Sequence, residues 1–185
     1  MRLFVGIPLA ESVVAGLTAV CNRLRSKEDS LRWSAPESWH VTLQFLGSAT
    51  PEQFDCLTIQ LARVRSVPVP VRLDGLGVFD RAGVFLAKVE LTPELIVLQS
   101  RVTEATARCG FVPEDRPYQP HITLARSKGE GGRQQLKSLK ARTSAKPAFS
   151  GFVAREFLLY ESHLGPDGAK YEVRHRFGLA AVHGE

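Results

Sequence analysis

The sequence predicts an α+β fold on three observations. Short β-rich runs are interspersed with stretches of helical period, most neighbouring β-rich runs are joined by hairpin-compatible turns, and a His-Val-Thr-Leu segment returns half a chain later as His-Ile-Thr-Leu. Residues 2–7 form a β-rich run stopped by Pro8, and 11–27 carry Val13, Val14, Leu17, Val20, Cys21 and Leu24 at helical spacing. Strands are expected at 31–34 and 39–46 around the turn residues Pro36 and Glu37, and Pro51 opens a second helix to about residue 64. The β-rich runs 69–79 and 84–91 flank Asp80-Arg81-Ala82-Gly83, a hairpin turn by composition. A third helix is expected from Thr92 to Cys109, ended by Gly110, and a proline-rich loop at 113–120 leads into a strand at 121–125. Gly129, Gly131 and Gly132 predict a mobile loop before a short basic helix at 133–142. The last strands fall at 149–161 and 171–179, joined through Gly165-Pro166-Asp167-Gly168.

The 185 residues, 44% hydrophobic and 23% charged, suit one folded domain or two fused halves of about 90 residues and exclude a disordered chain. Pro8 and Glu11 interrupt the only apolar stretch near the N-terminus, so neither a signal peptide nor a membrane span is expected, and no membrane partner. Cys21, Cys56 and Cys109 are odd in number, widely spaced and without a C-x-x-C pair, which suggests neither a disulfide framework nor a zinc cage and favours a reducing cytoplasm. The net charge of +5 raises the prospect of an anionic partner. That excess is local. Between residues 126 and 146 seven basic residues (Arg126, Lys128, Arg133, Lys137, Lys140, Arg142, Lys146) face one acid, Glu130, placing a candidate surface for a phosphodiester backbone just after the second repeat.

The repeat is the informative feature: His40-Val41-Thr42-Leu43 and His121-Ile122-Thr123-Leu124 are offset by 81 residues, each on an expected strand. Alternation turns His40 and Thr42 to one face and Trp39, Val41, Leu43 and Phe45 to the other; His121 and Thr123 likewise oppose Ile122 and Leu124. An imidazole and a hydroxyl about 7 Å apart along a strand can address one small anion. Two imidazoles that titrate near neutrality can divide the roles of proton acceptor and proton donor, which is what in-line displacement at phosphorus requires, while hydroxyls hold the equatorial oxygens. A zinc site lacks an H-E-x-x-H helix or clustered ligands, and no G-x-S-x-G marks a serine nucleophile. No metal and no cofactor are expected, and without a P-loop no ATP.

At these residues the chain resembles the 2H phosphoesterase superfamily, and within it the bacterial RNA 2′,3′-cyclic phosphodiesterase family, also called 2′-5′ RNA ligase. The likeness runs through Arg2-Leu3-Phe4-Val5-Gly6-Ile7, then Arg32-Trp33 and His40-Val41-Thr42-Leu43-Gln44-Phe45-Leu46-Gly47. It continues in Pro117-Tyr118-Gln119-Pro120-His121-Ile122-Thr123-Leu124-Ala125-Arg126 and closes with Leu159-Tyr160-Glu161-Ser162, Gly168 and Tyr171. The resemblance implies that residues 1–185 are a single bilobal domain: two intertwined, pseudo-symmetric lobes, each with an antiparallel sheet, helices and one His-x-Thr motif, around a central cleft. It implies hydrolysis of an RNA terminal 2′,3′-cyclic phosphate to a 2′-phosphate, with His40 as proton donor to the leaving 3′ oxygen and His121 as proton acceptor from water. The two motifs are too alike for the sequence alone to assign those roles.

Thr42 and Thr123 would then hold the non-bridging oxygens, and Arg126 would add a charged fork. Strict alternation puts Arg126 on the face opposite His121, so it reaches a phosphate only if the strand ends or bends there. Phe45 and Tyr118 flank the motifs as base-stacking candidates, Phe45 with core packing as its expected role and Tyr118 as the better stacker. His163, His175 and His183 have no repeated context and are expected at the surface or in structural roles. RNA with a cyclic-phosphate end is the expected partner, and a monomer the expected state. Two alternatives share these residues: a 2′-5′ RNA ligase joining cyclic-phosphate and 5′-hydroxyl ends, and a module that binds RNA ends without turnover.

Overall fold

In the computed structural model, which describes residues 1–27, 29–143, 148–165 and 168–180, apolar runs take the elements that their periods imply. The first strand β1 (Arg2–Pro8) leads into α1 (Glu11–Leu24), whose buried stripe is Val13, Leu17, Val20 and Cys21. A short β2 (Leu31–Trp33) and a 3₁₀ turn at Pro36–Ser38 precede β3 (His40–Ser48). Helix α2 (Pro51–Leu61) starts with Pro51 in its first turn and a reciprocal cap between Thr50 and Gln53, a pairing that satisfies two otherwise orphaned N–H groups. Then come β4 (Val69–Val71), β5 (Leu73–Phe79), β6 (Val84–Val89) and α3 (Pro93–Ala107), the last capped by the Thr92 hydroxyl. The second half closes with β7 (His121–Ser127), α4 (Gly129–Arg142), β8 (Phe152–Ala154), β9 (Glu156–Gly165) and β10 (Gly168–Gly178).

The strands form two four-stranded sheets, β10-β9-β1-β3 and β2-β7-β6-β5, with β4 and β8 paired between them; every pairing is antiparallel. The 81-residue offset of the motifs extends to whole elements. Shifted by that offset, β1 falls on β6, α1 on α3, β3 on β7 and α2 on α4, while β4 and β5 begin within two residues of the starts of β8 and β9. The repeats exchange a strand: the first sheet takes β1 and β3 from the first repeat but β9 from the second, and the second sheet takes β6 and β7 from the second but β5 from the first. One apolar core spans both sheets and all four helices, joining Val5, Ile7 and Val41 of the first sheet to Phe85, Ile122 and Leu124 of the second. The opposite face of the first sheet carries a separate cluster, Phe4, Leu158 and Tyr160.

Three expectations are corrected. Cys56 and Cys109 are joined in a disulfide, where free thiols were expected; they are 53 residues apart and meet because α2 packs against α3, a juxtaposition with no local spacing to betray it. Cys21 is the free, buried thiol among the described residues. The glycines at 129, 131 and 132 begin α4 rather than a loop. A Cβ on Gly132 would lie 2.6 Å from the Ser30 carbonyl and 2.9 Å from Ser127 Cα, so this glycine serves close approach of helix to strand, not mobility. Finally, α4 buries Leu136 and Leu139 in the core behind the second sheet, so the basic helix, unlike Arg126, lies against the face opposite His121, and Lys140 is held by Asp80. Lys146, the turn residues Pro166 and Asp167, and His183 lie outside the described residues.

Candidate active site

The motif strands share one irregularity. Between β1 and β3, Val5 faces Gln44 and Gly6 faces Thr42, which leaves Leu43 as an extra residue. Between β6 and β7, Phe85 faces Ala125 and Leu86 faces Thr123, which leaves Leu124 extra at the equivalent position. A bulge of this kind shifts the alternation by one residue. Both strands accordingly run half-buried, buried, half-buried, buried, buried, exposed over six residues. Phe45 and Arg126, one offset apart, are therefore turned to the side of His40–Thr42 and of His121–Thr123. This corrects the expected core packing of Phe45, which is 57% exposed, and meets the condition under which Arg126 joins the site.

Strands β3 and β7 touch each other, bringing the motif faces of the two sheets together. Each histidine is oriented by the same device: Nδ1–H donates to a backbone carbonyl two residues upstream, Ser38 for His40 at 2.8 Å and Gln119 for His121 at 2.7 Å. A carbonyl only accepts, so the hydrogen sits on Nδ1 and Nε2 is left with its lone pair. The Thr42 hydroxyl donates to that Nε2 on His40 at 2.9 Å. Burial pushes the His40 pKa down to about 4; the Ser38 carbonyl opposes the shift and the charge of His121 adds to it. Burial also lowers His121, opposed by Gln119 and helped by the nearby Arg126 guanidinium. Burial thus biases both imidazoles toward the neutral form, within each other's field.

The two walls of the cleft differ in chemistry. Around His40 stand Phe4 with ring centroids 4.6 Å away, Tyr171 edge-on at 5.3 Å and Tyr160 at 5.7 Å, with Phe45 beyond Phe4 at 6.1 Å. Gly6 makes room for them: a Cβ there would come 3.0 Å from the Val41 carbonyl and 3.3 Å from His40 Cδ2. His121 packs edge-on to Phe79 at 4.9 Å, and its direct cross-strand neighbour is the exposed Lys88. One wall is aromatic and the other cationic.

Of the residues expected from sequence, His40, Thr42, Phe45, His121, Thr123 and Arg126 lie on the motif faces. Tyr118 does not stand free for stacking: it packs against the core and donates its hydroxyl to the Thr42 carbonyl at 2.8 Å, tying the loop before one motif to the strand of the other. His163 bonds Glu172, and His175 packs against Phe54 and Phe177. Glu161, His163 and Glu172 form a cluster able to hold a metal ion; by register Glu161 shares the face of Leu3, opposite His40, and it is already paired with Arg174. Sequence reasoning missed the roles of Phe4, Gly6, Phe79, Tyr160 and Tyr171 around the histidines. Phe4, opposed to Leu3 and Val5 by alternation, was the one with a local signal.

Comparisons with known proteins agree with this geometry. A protein of Thermus thermophilus named RNA 2′,3′-cyclic phosphodiesterase is 33% identical over 199 residues, covering 100% of this chain and 93% of that one. One of the same name from Geobacillus stearothermophilus is 30% identical over 181 residues; the match covers 95% of this chain but 56% of that longer protein. The crystal structure of Escherichia coli LigT complexed with 3′-AMP superposes with a TM-score of 0.81 at 28% identity, covering 96% of this chain and 97% of that one. Residues 11–165 match the family model of the 2′-5′ RNA ligase superfamily, and with its repeated His-x-Thr strands facing one another the chain belongs to that superfamily.

Proposed function

We propose that this protein is a phosphodiesterase that hydrolyses RNA terminal 2′,3′-cyclic phosphates to 2′-phosphates by acid–base catalysis between His40 and His121. The observation that carries the reading is the pair of imidazoles on opposed strands, each fixed through Nδ1 so that Nε2 is the atom left for proton transfer, on His40 in contact with the Thr42 hydroxyl. Water attacks phosphorus and loses a proton to His121, the P–O3′ bond breaks, and His40 protonates the leaving 3′ oxygen. Thr42, Thr123 and Arg126 hold the non-bridging oxygens as charge spreads over them. The two walls support this assignment of acid and base: the leaving oxygen belongs to the ribose, and on this reading the nucleoside rests on the aromatic side with Phe45 under its base, next to His40. His121, beside the cations, is on the side from which the nucleophile enters.

The curated relatives carry this activity in their names, and LigT has been solved with 3′-AMP, NADP+, ATP and phosphate, ligands that share a phosphate group with the proposed substrate. We take the protein to act as a monomer, its two sheets forming two lobes of one domain, with both proton transfers supplied by histidine and none by a metal. The deciding experiment is product analysis on an RNA oligonucleotide ending in 2′,3′-cyclic phosphate. A 2′-phosphate is expected at a rate insensitive to EDTA, and His40→Ala and His121→Ala should each lower that rate about 10²- to 10⁴-fold. Full activity in one of these variants would sink the mechanism. The family's name favours a second reading, in which a 5′-hydroxyl replaces water; adding 5′-hydroxyl RNA and measuring joined against hydrolysed product separates the two.

A further inference from the structure

Arg32 occupies the middle of β2, the edge strand of the second sheet, and its Cα faces that of Arg126 on β7. Directly opposed residues of antiparallel strands turn to the same face with Cβ atoms about 5 Å apart, a placement in which like charges repel. Leu31 is buried in the core and Trp33 packs edge-on to Phe85, so alternation sends Arg32 to the face where the Leu124 bulge also puts Arg126. Both arginines are exposed, and among the described residues neither has an ion pair or a hydrogen bond. Of the acids near them, Asp29 accepts from the Trp33 indole and the Gln135 amide, Asp80 holds Lys140, and Glu130, four residues after Arg126, lies in the first turn of α4. Arg72, Arg174 and Arg176, by contrast, each have a glutamate. Two opposed guanidiniums without a carboxylate are a ready seat for a divalent or bridging anion.

We propose that Arg32 and Arg126 form a second anion subsite beside the reacting phosphate, and that its ligand is the phosphodiester on the 5′ side of the terminal nucleotide. The proposal rests on the phosphodiesterase reading above. His121, Thr123 and Arg126 share one strand, and in the proposed function they address one phosphate; Arg32 stands a strand further out, on the edge strand of the second sheet, within reach of a second phosphate beside the first. In a substrate whose 3′ end is the cyclic phosphate, the next phosphate is necessarily the 5′ one. The preferred substrate class is therefore an oligonucleotide or a 5′-phosphorylated nucleotide, not a nucleoside cyclic phosphate.

The test compares kcat/KM for adenosine 2′,3′-cyclic phosphate with and without a 5′-phosphate. The wild-type protein is expected to favour the 5′-phosphorylated compound about tenfold or more, the worth of a charge-assisted contact. Arg32→Gln should bring the ratio toward one, and Arg32→Lys, which keeps the charge but not the fork, should fall between. A wild-type ratio near one, or an unchanged ratio in Arg32→Gln, overturns the subsite. Calorimetric titration with adenosine 2′-phosphate and adenosine 2′,5′-bisphosphate reads the same contrast without turnover. If no cyclic phosphate is hydrolysed the reaction reading fails, and this binding contrast still decides the subsite.

Discussion

Gly6 shows how closely the site is fitted at the scale of single residues. Its missing side chain leaves the space in which the His40 ring lies beside the stacked rings of Phe4 and Tyr160. Gly6→Ala should lower kcat at least tenfold, because the Val41 carbonyl on the other side is backbone and leaves the imidazole to yield; steady-state kinetics on a cyclic-phosphate substrate, beside an unchanged fold by circular dichroism, checks it. The enclosure of His40 also has a sign in pH. Its folded pKa of about 4 lies below the ordinary 6.5, so the unfolded chain binds the proton more readily. Stability conferred by neutral His40 is whole above pH 6.5 and is lost as pH falls toward 4; His40→Gln should flatten that part of the stability profile in urea unfolding. The same depression places activity on the acid side. The free enzyme needs one imidazole protonated and both are lowered, so kcat/KM should peak below pH 6.5 and fall as pH rises. The histidines and threonines were legible because they repeat. Tyr160 and Tyr171 were not, since they reach His40 only through the pairing of β9 with β1 and of β10 with β9.

At the scale of elements, period and punctuation sufficed to find the strands and helices, and what they missed was register. An extra leucine in a strand looks like any other apolar residue, so nothing in the pattern distinguished Leu43 or Leu124 from a core position or warned that Phe45 and Arg126 change sides. The disulfide between α2 and the end of α3 was equally hidden. It closes a 53-residue separation on the core side of β3, and Cys56→Ser should reduce the free energy of unfolding by about 2–4 kcal/mol, measured in urea without reductant, with turnover at 25 °C retained. Helix α4 reverses the expectation raised by its charge. Because it packs behind the second sheet, neutralising Lys137 and Lys140 should leave RNA affinity and its salt dependence unaltered, whereas Arg126→Gln should reduce the salt slope by about one.

On the scale of the whole molecule, the charge excess that first pointed to an anionic partner divides into two populations. Most of it coats the outer helix α4, while a few cations, Arg32, Lys88 and Arg126, line one wall of the cleft opposite an aromatic one. In the proposed function that polarity orients a nucleotide before any base is read. The α+β class was legible from the sequence; the traffic of strands between sheets was not, because no residue marks which sheet a β-rich run will join. The exchange of β5 for β9 makes the protein a single-chain version of a domain-swapped dimer. Severed in the Asp80–Gly83 turn, each fragment would keep one histidine of the pair and present open strand edges whose partner strands lie in the other fragment. The fragments 1–81 and 82–185 should therefore behave as obligate heterodimers, aggregating when expressed apart and recovering turnover as a one-to-one complex when expressed together.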